Sequence, residues 1–456
     1  MSIVNIYSRL PVALRELLAN IYARRLHRRR FGGEFGKLLE FLEDSQYWNQ
    51  ERLMIFQIER LREVITDSYE NVPHFRKLFR DIDLRPSDVT SLEILKEIPV
   101  MTKDMIRSDP RSFASDNIKR IKTIKDFSSG TTGAKLEFFL PLSLYRLNFA
   151  ALWRFYGWAG VHLGEKRVTL GARVIGERLP YWIYNKSENQ LLMSIHHLNS
   201  NTISSYIEKL MEFEPVFIQG HPTGIEILAD EMLRRREKLK VKAVFTTAET
   251  LIDTARDKIE NAFGCKVFES YGVSECVVAA FECEKHNGLH EATEYGITEL
   301  ESSGEEGFYS VIGTSLWNNA MPFIRYKIED LVVPCEKAIC SCGRTLPLVI
   351  KKVIGRIDDI VYDAQGNPVL PVTIRMHLKP LLKPFQNYQL IQTDKGEYEF
   401  KLTITEEKPT GAFIKMLSKL LGDNAAIKIS EVTKIEATGG KIRNVVNRCS
   451  RTERRI

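Results

Sequence analysis

The chain has 456 residues, 44% hydrophobic and 27% charged, with a formal net charge of +6, which suits a globular protein with a sizeable core and two or three domains. That composition excludes a low-complexity or disordered chain, and the lack of any run of eighteen apolar residues excludes a transmembrane helix. No basic–apolar–small cleavage pattern opens the sequence, so no secretory signal is expected. The seven cysteines, an odd count in a long chain, point to the reducing cytoplasm with thiols free or on metal.

The positive charge is unevenly spread. Arg24, Arg25, Arg28, Arg29 and Arg30 crowd one segment, and the tail from Arg448 to Arg454 is basic as well. No zinc-finger, helix-turn-helix or RNA-recognition signature accompanies them, so no nucleic-acid partner is expected. Leu10, Leu14, Leu17, Leu18 and Ile21 stand at helical spacing and predict a helix over residues 10–30. Packing onto the protein's own body is its preferred reading, and the alternative is a peripheral membrane contact through a basic amphipathic helix. Helix is expected again over residues 35–80, interrupted at Asn71-Val72-Pro73. Short turns punctuated by Pro86 and Pro99 follow.

Next comes Phe127-Ser128-Ser129-Gly130-Thr131-Thr132-Gly133-Ala134-Lys135, set between the strand-like runs Ile121–Phe127 and Leu136–Leu140. Glycines admit close approach of a polyanion, and the hydroxyls and free N–H groups can wrap phosphate oxygens. Only two residues separate Gly130 from Gly133, so this is not the P-loop of kinases and GTPases. Beyond it, helices are predicted over Tyr145–Trp158, Ser200–Phe213, Ile225–Lys238 and Ile252–Phe263. Strands are predicted over Arg167–Val174, Pro215–Gln219, Ala243–Thr247 and Lys266–Glu269. Such alternation implies α/β layers with a mostly parallel sheet. From about residue 295 strands predominate, and past Arg356 the chain reads as a separate compact unit of about a hundred residues. The aromatic run Trp153, Phe155, Tyr156 and Trp158 fits a pocket lining or plain core packing equally well.

Five further stretches complete a constellation. Thr247-Ala248-Glu249-Thr250-Leu251 follows a buried strand, where an α/β sheet presents ligand loops. In Tyr271-Gly272-Val273-Ser274-Glu275, a ring, a glycine, a hydroxyl and a carboxylate can stack a base and hold Mg²⁺ beside phosphates. Arg325-Tyr326-Lys327-Ile328-Glu329-Asp330 ends in a carboxylate, a strong hydrogen-bond acceptor. Gly355-Arg356-Ile357-Asp358-Asp359 and Gly439-Gly440-Lys441-Ile442-Arg443 come last. Most of these alone would read as an ordinary turn or strand end.

Together and in this order, they resemble the motifs of the adenylate-forming (AMP-binding) enzymes. Tyr69–Pro73, Pro99–Lys103 and Cys340–Arg344 add resemblance to the phenylacetate-CoA ligase family and its CapK-like branch in capsular polysaccharide biosynthesis. The resemblance covers nearly the whole chain. It implies a large N-terminal domain over residues 1–355, with layered α/β and β-rich parts. A hinge at 356–358 and a small mobile α+β lid domain over 359–456 would follow.

The resemblance also implies activation of a small carboxylic acid by ATP to an acyl-adenylate, with pyrophosphate released, then transfer to CoA. Ser128, Ser129, Gly130, Thr131, Thr132 and Gly133 would hold phosphate, and Glu249 and Gly272 would belong to the same nucleotide-binding site. Tyr271 would stack on adenine, Ser274 lie near the acyl-phosphate, Glu275 bind Mg²⁺, and Asp330 and Arg356 hold the ribose. Asp358 would be the pivot, and Lys441 would swing in to stabilise charge during adenylation. Transfer to a sugar amine or carrier is the alternative, and a catalytically inactive nucleotide-binding protein is a third reading. Four departures stand out: Lys135 replaces a common proline, Ala248 replaces glycine, His221-Pro222-Thr223 stands where this branch often has Tyr-Pro-Ser, and Tyr362–Pro368 differs from the usual run along the CoA tunnel. Relatives in this branch can carry a structural zinc, and Cys283, His290, Cys340 and Cys342 are the matching positions. The acid and the oligomeric state are not legible.

Overall fold

A computed structural model describes residues 10–128, 136–172, 175–176, 179–304, 307–356, 359–382, 386–403, 411–435 and 443–449. Helices come first. α1 (Val12–Phe31) is followed by α2 (Phe35–Ser45), α3 (Gln50–Asn71) and α4 (Pro73–Asp81). The predicted single run over residues 35–80 is therefore also broken at Gln46–Asn49. There Asn49 caps α3 by accepting from the Arg52 amide at 2.8 Å, a stop-and-start that hydrophobic spacing does not register. Pro73 then opens α4 at a position where its missing N–H costs nothing. The short α5 (Lys103–Ser108) begins at Thr102, whose hydroxyl accepts from the Met105 amide.

Hairpin β1 (Thr123–Phe127) and β2 (Glu137–Pro141) leads into α6 (Leu142–Trp158). The aromatics of α6 resolve as core. Phe155 is fully buried and stacks on Phe281 at 4.9 Å between ring centroids, and Tyr156 donates to Gln219 Oε1 at 2.6 Å. One residue of α6 is unusual. Arg154 has no exposed side-chain surface and donates Nη1 to Glu294 Oε1 at 2.7 Å and to the Leu42 carbonyl at 3.0 Å. Glu294, also wholly buried, accepts from Ser45 Oγ at 2.5 Å. This buried pair ties α2 and α6 to the connection between Glu291 and Gly296.

One twelve-stranded sheet spans the large body. Its parallel part is made of β3 (Arg167–Gly171), β5 (Gln190–Ser194), β6 (Phe217–Gly220), β7 (Ala243–Thr246) and β8 (Lys266–Gly272), edged by β4 (Trp182–Asn185). Helices α7 (Ile203–Phe213), α8 (Pro222–Arg235) and α9 (Asp253–Phe263) make the crossovers that parallel neighbours need. The antiparallel pair β4–β5 was missed in the sequence. After Gly272 no helix intervenes between the strands of this sheet, and every further pairing within it is antiparallel. Strands β9 (Ala279–Glu282), β10 (Leu289–Glu291), β11 (Gly296–Ser302), β12 (Tyr309–Ser315), β13 (Tyr326–Pro334) and β14 (Leu348–Arg356) follow. The parallel arrangement expected for the sheet thus holds only for its first part.

Past β14 lies a separate apolar core, built on Leu390, Tyr398, Phe400 and Leu417. A hairpin of β15 (Val361–Tyr362) and β16 (Pro368–Val369) precedes α10 (Pro371–Leu378). A four-stranded sheet holds β17 (Tyr388–Asp394), β18 (Glu397–Thr403), β19 (Ala426–Val432) and β20 (Val445–Asn447), in the order β19-β18-β17-β20, with α11 (Gly411–Leu421) between β18 and β19. Among the described residues, no helix is long and apolar enough to cross a membrane.

Candidate active site

The parallel and antiparallel parts of the sheet meet between β8 and β9, and the motif residues gather near that seam. Tyr271, at the end of β8, donates its hydroxyl to Asp330 Oδ2 at 3.1 Å. Asp330 on β13 is in register with Arg356 on β14, whose Nε lies 3.8 Å from Asp330 Oδ1. Burial, and then the Asp330 charge, push the Tyr271 phenol well above its ordinary range, so it stays a donor. Beside the ring, a Cβ on Gly272 would stand 3.3 Å from the Val278 carbonyl, so the glycine keeps that approach open.

Glu275 follows in the turn, where Cys276 takes a left-handed φ of 57° and turns the chain back toward β9. Glu275 is only 6% exposed and accepts from Tyr326 Oη at 3.0 Å. Burial pushes its carboxyl up, against the pull of the Tyr326 bond and of the Lys103 and Arg356 charges. A desolvated carboxylate with cations around it is a hard-oxygen donor of the type that takes Mg²⁺ alongside phosphates. Ser274 is exposed, free to face a ligand.

Glu249 sits one strand away, after β7. Its Oε1 pairs with His221 Nδ1 at 3.1 Å and its Oε2 accepts from the Thr223 amide at 3.3 Å, at the start of α8. Burial would raise the carboxyl, but the His221 bond and charge, Arg375 and Thr223 outweigh it and hold it down at about 2. Arg375 on α10 reaches over from the small unit, with Nη1 on the Thr250 carbonyl and Nη2 on Thr223 Oγ1, both at 2.8 Å. The preceding Ala248 is held at φ 70°, the left-handed region that a glycine would fill without strain.

Ser128 closes the neck of the glycine-rich loop: its amide donates to the Leu136 carbonyl at 2.9 Å and its Oγ accepts from the Leu136 amide at 3.1 Å. The predicted Ser129, Gly130, Thr131, Thr132 and Gly133, and likewise Asp358 and Lys441, lie outside the described residues.

Away from this seam, Cys283, His290, Cys340 and Cys342 converge with all ligand atoms within 4.8 Å of one another. Cys283 Sγ is 3.7 Å from Cys340 Sγ, and Cys342 Sγ is 3.5 Å from His290 Nε2. A tetrahedral zinc with ordinary bonds would set sulfur–sulfur edges of about 3.8 Å and sulfur–nitrogen edges of about 3.5 Å. His290 Nδ1 lies 2.6 Å from the Leu346 carbonyl, a partner that directs Nε2 toward the thiols. The donor set and spacing fit zinc.

No family model matches the sequence. Protein CapK of Staphylococcus aureus is 28% identical over 456 residues, covering 97% of this chain and 98% of that protein. The phenylacetate-coenzyme A ligase of Thermus thermophilus is 26% identical over 388 residues, 78% of this chain and 82% of that one. The crystal structure of 2-hydroxyisobutyryl-CoA ligase in the postadenylation state, bound to an acyl-AMP, superposes with a TM-score of 0.66 at 18% identity, over 90% of this chain and 93% of that one. The same ligase with 2-HIB-AMP and CoA in the thioesterification state gives 0.57.

The chain has the fold of the adenylate-forming CoA ligases. CapK and the phenylacetate-CoA ligases are its homologues.

Within this ligase fold, two site residues besides Arg375 are not legible as such in the sequence. Lys103 was noted only as part of a family mark. The Met101 backbone bridges to β13, its amide on the Arg325 carbonyl and its carbonyl taking the Lys327 amide, both at 2.9 Å. That bridge brings the Lys103 amine under the charges of Glu275, Glu329 and Arg356, and burial lowers its pKa. His221, seen only as a departure, is the partner of Glu249. Neither carries a local signal, because both contacts are made across the fold.

Proposed function

We propose that the protein activates a small carboxylic acid with ATP and passes the acyl group to CoA. A carboxylate oxygen attacks the α-phosphorus, the bond to the β-phosphate oxygen breaks, and pyrophosphate leaves. The CoA sulfur then attacks the acyl carbon, loses its proton and displaces AMP. The convergence of Tyr271, Glu275, Asp330 and Arg356 supports this reading. Tyr271 offers its ring to adenine, Asp330 accepts from the ribose hydroxyls and Arg356 faces the same sugar or its phosphate. Glu275 would hold Mg²⁺, which when bound neutralises phosphate charge. Transfer of this type needs positioning and charge neutralisation more than a protein nucleophile.

The glycine-rich loop, Ser128 to Gly133, is assigned to phosphate, Glu249 and Gly272 to the walls of the site, and Ser274 to the acyl-phosphate. Residues 1–355 form the large domain, 356–358 the hinge with Asp358 as pivot, and 359–456 the lid carrying Lys441. Rotation about the hinge would exchange Lys441 for the thioester-forming face. Zinc on Cys283, His290, Cys340 and Cys342 would be structural, since all four positions are protein ligands. None of the seven cysteines is in a disulfide, which supports the cytoplasm as its location.

A second acceptor, a sugar amine or a carrier, keeps support from the segment Tyr362–Pro368. Here it is a tight hairpin in which Asp363 Oδ1 accepts from the Gln365 and Asn367 amides at 2.9 and 2.7 Å. Incubation with ATP and a library of carboxylic acids, reading pyrophosphate with and without CoA, tests the proposal. Turnover that requires CoA supports ligation to CoA. Adenylate that forms but never reaches CoA moves the acceptor elsewhere, and no pyrophosphate with any acid overturns the activity.

A further inference from the structure

Helix α1 is docked with its polar side inward. Arg15 Nη1 donates to the Ile175 carbonyl at 3.1 Å. Asn20 Nδ2 donates to the Tyr184 carbonyl at 3.0 Å, and Asn20 Oδ1 accepts from the Lys186 amide at 2.9 Å. Near its end, Arg30 pairs with the buried Glu188 at 3.1 Å. The leucines therefore face out: Leu17 is 57% exposed, Ile21 58% and Tyr22 60%, with Leu14 and Leu18 at 40% and 41%. Positions 14, 17, 18 and 21 form one stripe on a helix, and 24, 25 and 28 continue the same stripe. All of those continuing positions, with Arg29 beside them, are arginine.

The outward face is thus apolar along its first half and cationic along its second. Arg24, Arg25, Arg28 and Arg29, with Arg146, Leu142 and Ile21, line a shallow groove of about 500 Å³. Arg146 is paired with Glu34 at 2.5 Å. Among the described residues, the other four arginines have no carboxylate within ion-pair distance.

We propose that this face docks on an anionic lipid bilayer, with the leucines in the acyl–headgroup boundary and the arginines on the lipid phosphates. Charge complementarity selects the occupant. A second copy would bring its own four arginines against these, whereas an anionic bilayer offers apolar depth and negative charge in the same plane. The inference is independent of the acid or acceptor used.

Sedimentation of the full chain with phosphatidylcholine vesicles, alone or doped with phosphatidylglycerol, tests it. Binding should require the anionic lipid and weaken as salt rises. R24Q/R25Q/R28Q/R29Q should lower the partition coefficient by on the order of a hundredfold or more, and L17S/I21S should lower it at least about tenfold. Both variants should retain the wild-type melting temperature and vesicle-free adenylation, which separates loss of docking from loss of folding. Three results would overturn the proposal: no binding to anionic vesicles at low salt, binding untouched by either variant, or a solution dimer that L17S/I21S dissociates.

Discussion

Tyr271 and Asp330 stand on strands β8 and β13, yet the phenol of one donates to the carboxylate of the other at 3.1 Å. The group assigned to adenine and the group assigned to ribose are thereby set as one unit. A hydrogen bond to a charged group contributes about 1.5–3 kcal/mol. Asp330→Ala should weaken ATP binding by roughly tenfold to a hundredfold, by that range. Tyr271→Phe keeps the ring and should cost less. Calorimetry of ATP binding checks both, and an unchanged dissociation constant in Asp330→Ala removes that residue from the ribose site.

The two lysines should separate by their response to Mg²⁺. Lys441→Ala should lower adenylation by about 10²–10³-fold, the usual effect of removing a charge-stabilising donor, while thioester formation from supplied acyl-adenylate persists. Lys103→Ala should also slow adenylation, and its defect should respond to Mg²⁺ concentration because Lys103 lies in the field of Glu275. Equal loss of both half-reactions in Lys441→Ala would contradict the lid assignment.

Protein purified without a histidine tag should carry about one zinc, held by four protein ligands. Cys283→Ser or Cys340→Ser should release it and lower the melting temperature. Metal analysis and native thiol titration decide the matter, and freely reactive thiols at these loops would rule the site out.

Glu249 gives a pH signature. Its carboxyl falls from an ordinary 4.5 to about 2 in the folded protein, so the unfolded chain binds the proton more readily. The contribution is complete above about pH 4.5 and is lost as pH falls toward 2. Glu249→Gln should destabilise by about 1–3 kcal/mol at neutral pH. Urea titrations should show wild type and variant converging in acid; a constant gap across pH would mean that the carboxylate charge plays no part.

Ala248→Gly should stabilise. A left-handed φ costs a residue with a Cβ about 1–2 kcal/mol, and added unfolded-state freedom takes back about 0.4–1 kcal/mol. A net gain of up to about 1 kcal/mol in denaturant titrations is expected, and a loss would place the strain elsewhere.

Much of this was legible because the informative residues lie in contiguous stretches. Tyr271, Gly272, Ser274 and Glu275 occupy one turn, and the strand–helix alternation from Arg167 onward follows directly from hydrophobic spacing. Zinc-type ligands at Cys283, His290, Cys340 and Cys342 could be paired only through resemblance, since fifty residues of chain separate the two halves. Lys103, His221 and Arg375 were not legible as site residues. Each acquires its partner through strand register or domain contact, which a linear pattern does not encode. The orientation of α1 was hidden for a related reason: periodicity marks an apolar stripe but not which side of the helix is docked.

The pair Arg154–Glu294 has an evolutionary consequence. Substituting an apolar residue for Arg154 would leave Glu294 buried and charged, and replacing Glu294 would strand the guanidinium, each at a cost of about 3–5 kcal/mol. Ser45 Oγ and the Leu42 carbonyl would lose a partner in one case or the other. A fully apolar version of the cluster could be as stable, but every single-step route to it passes through a destabilised chain. Descendants of this protein should therefore keep both charges or change them together, whatever acid they come to activate.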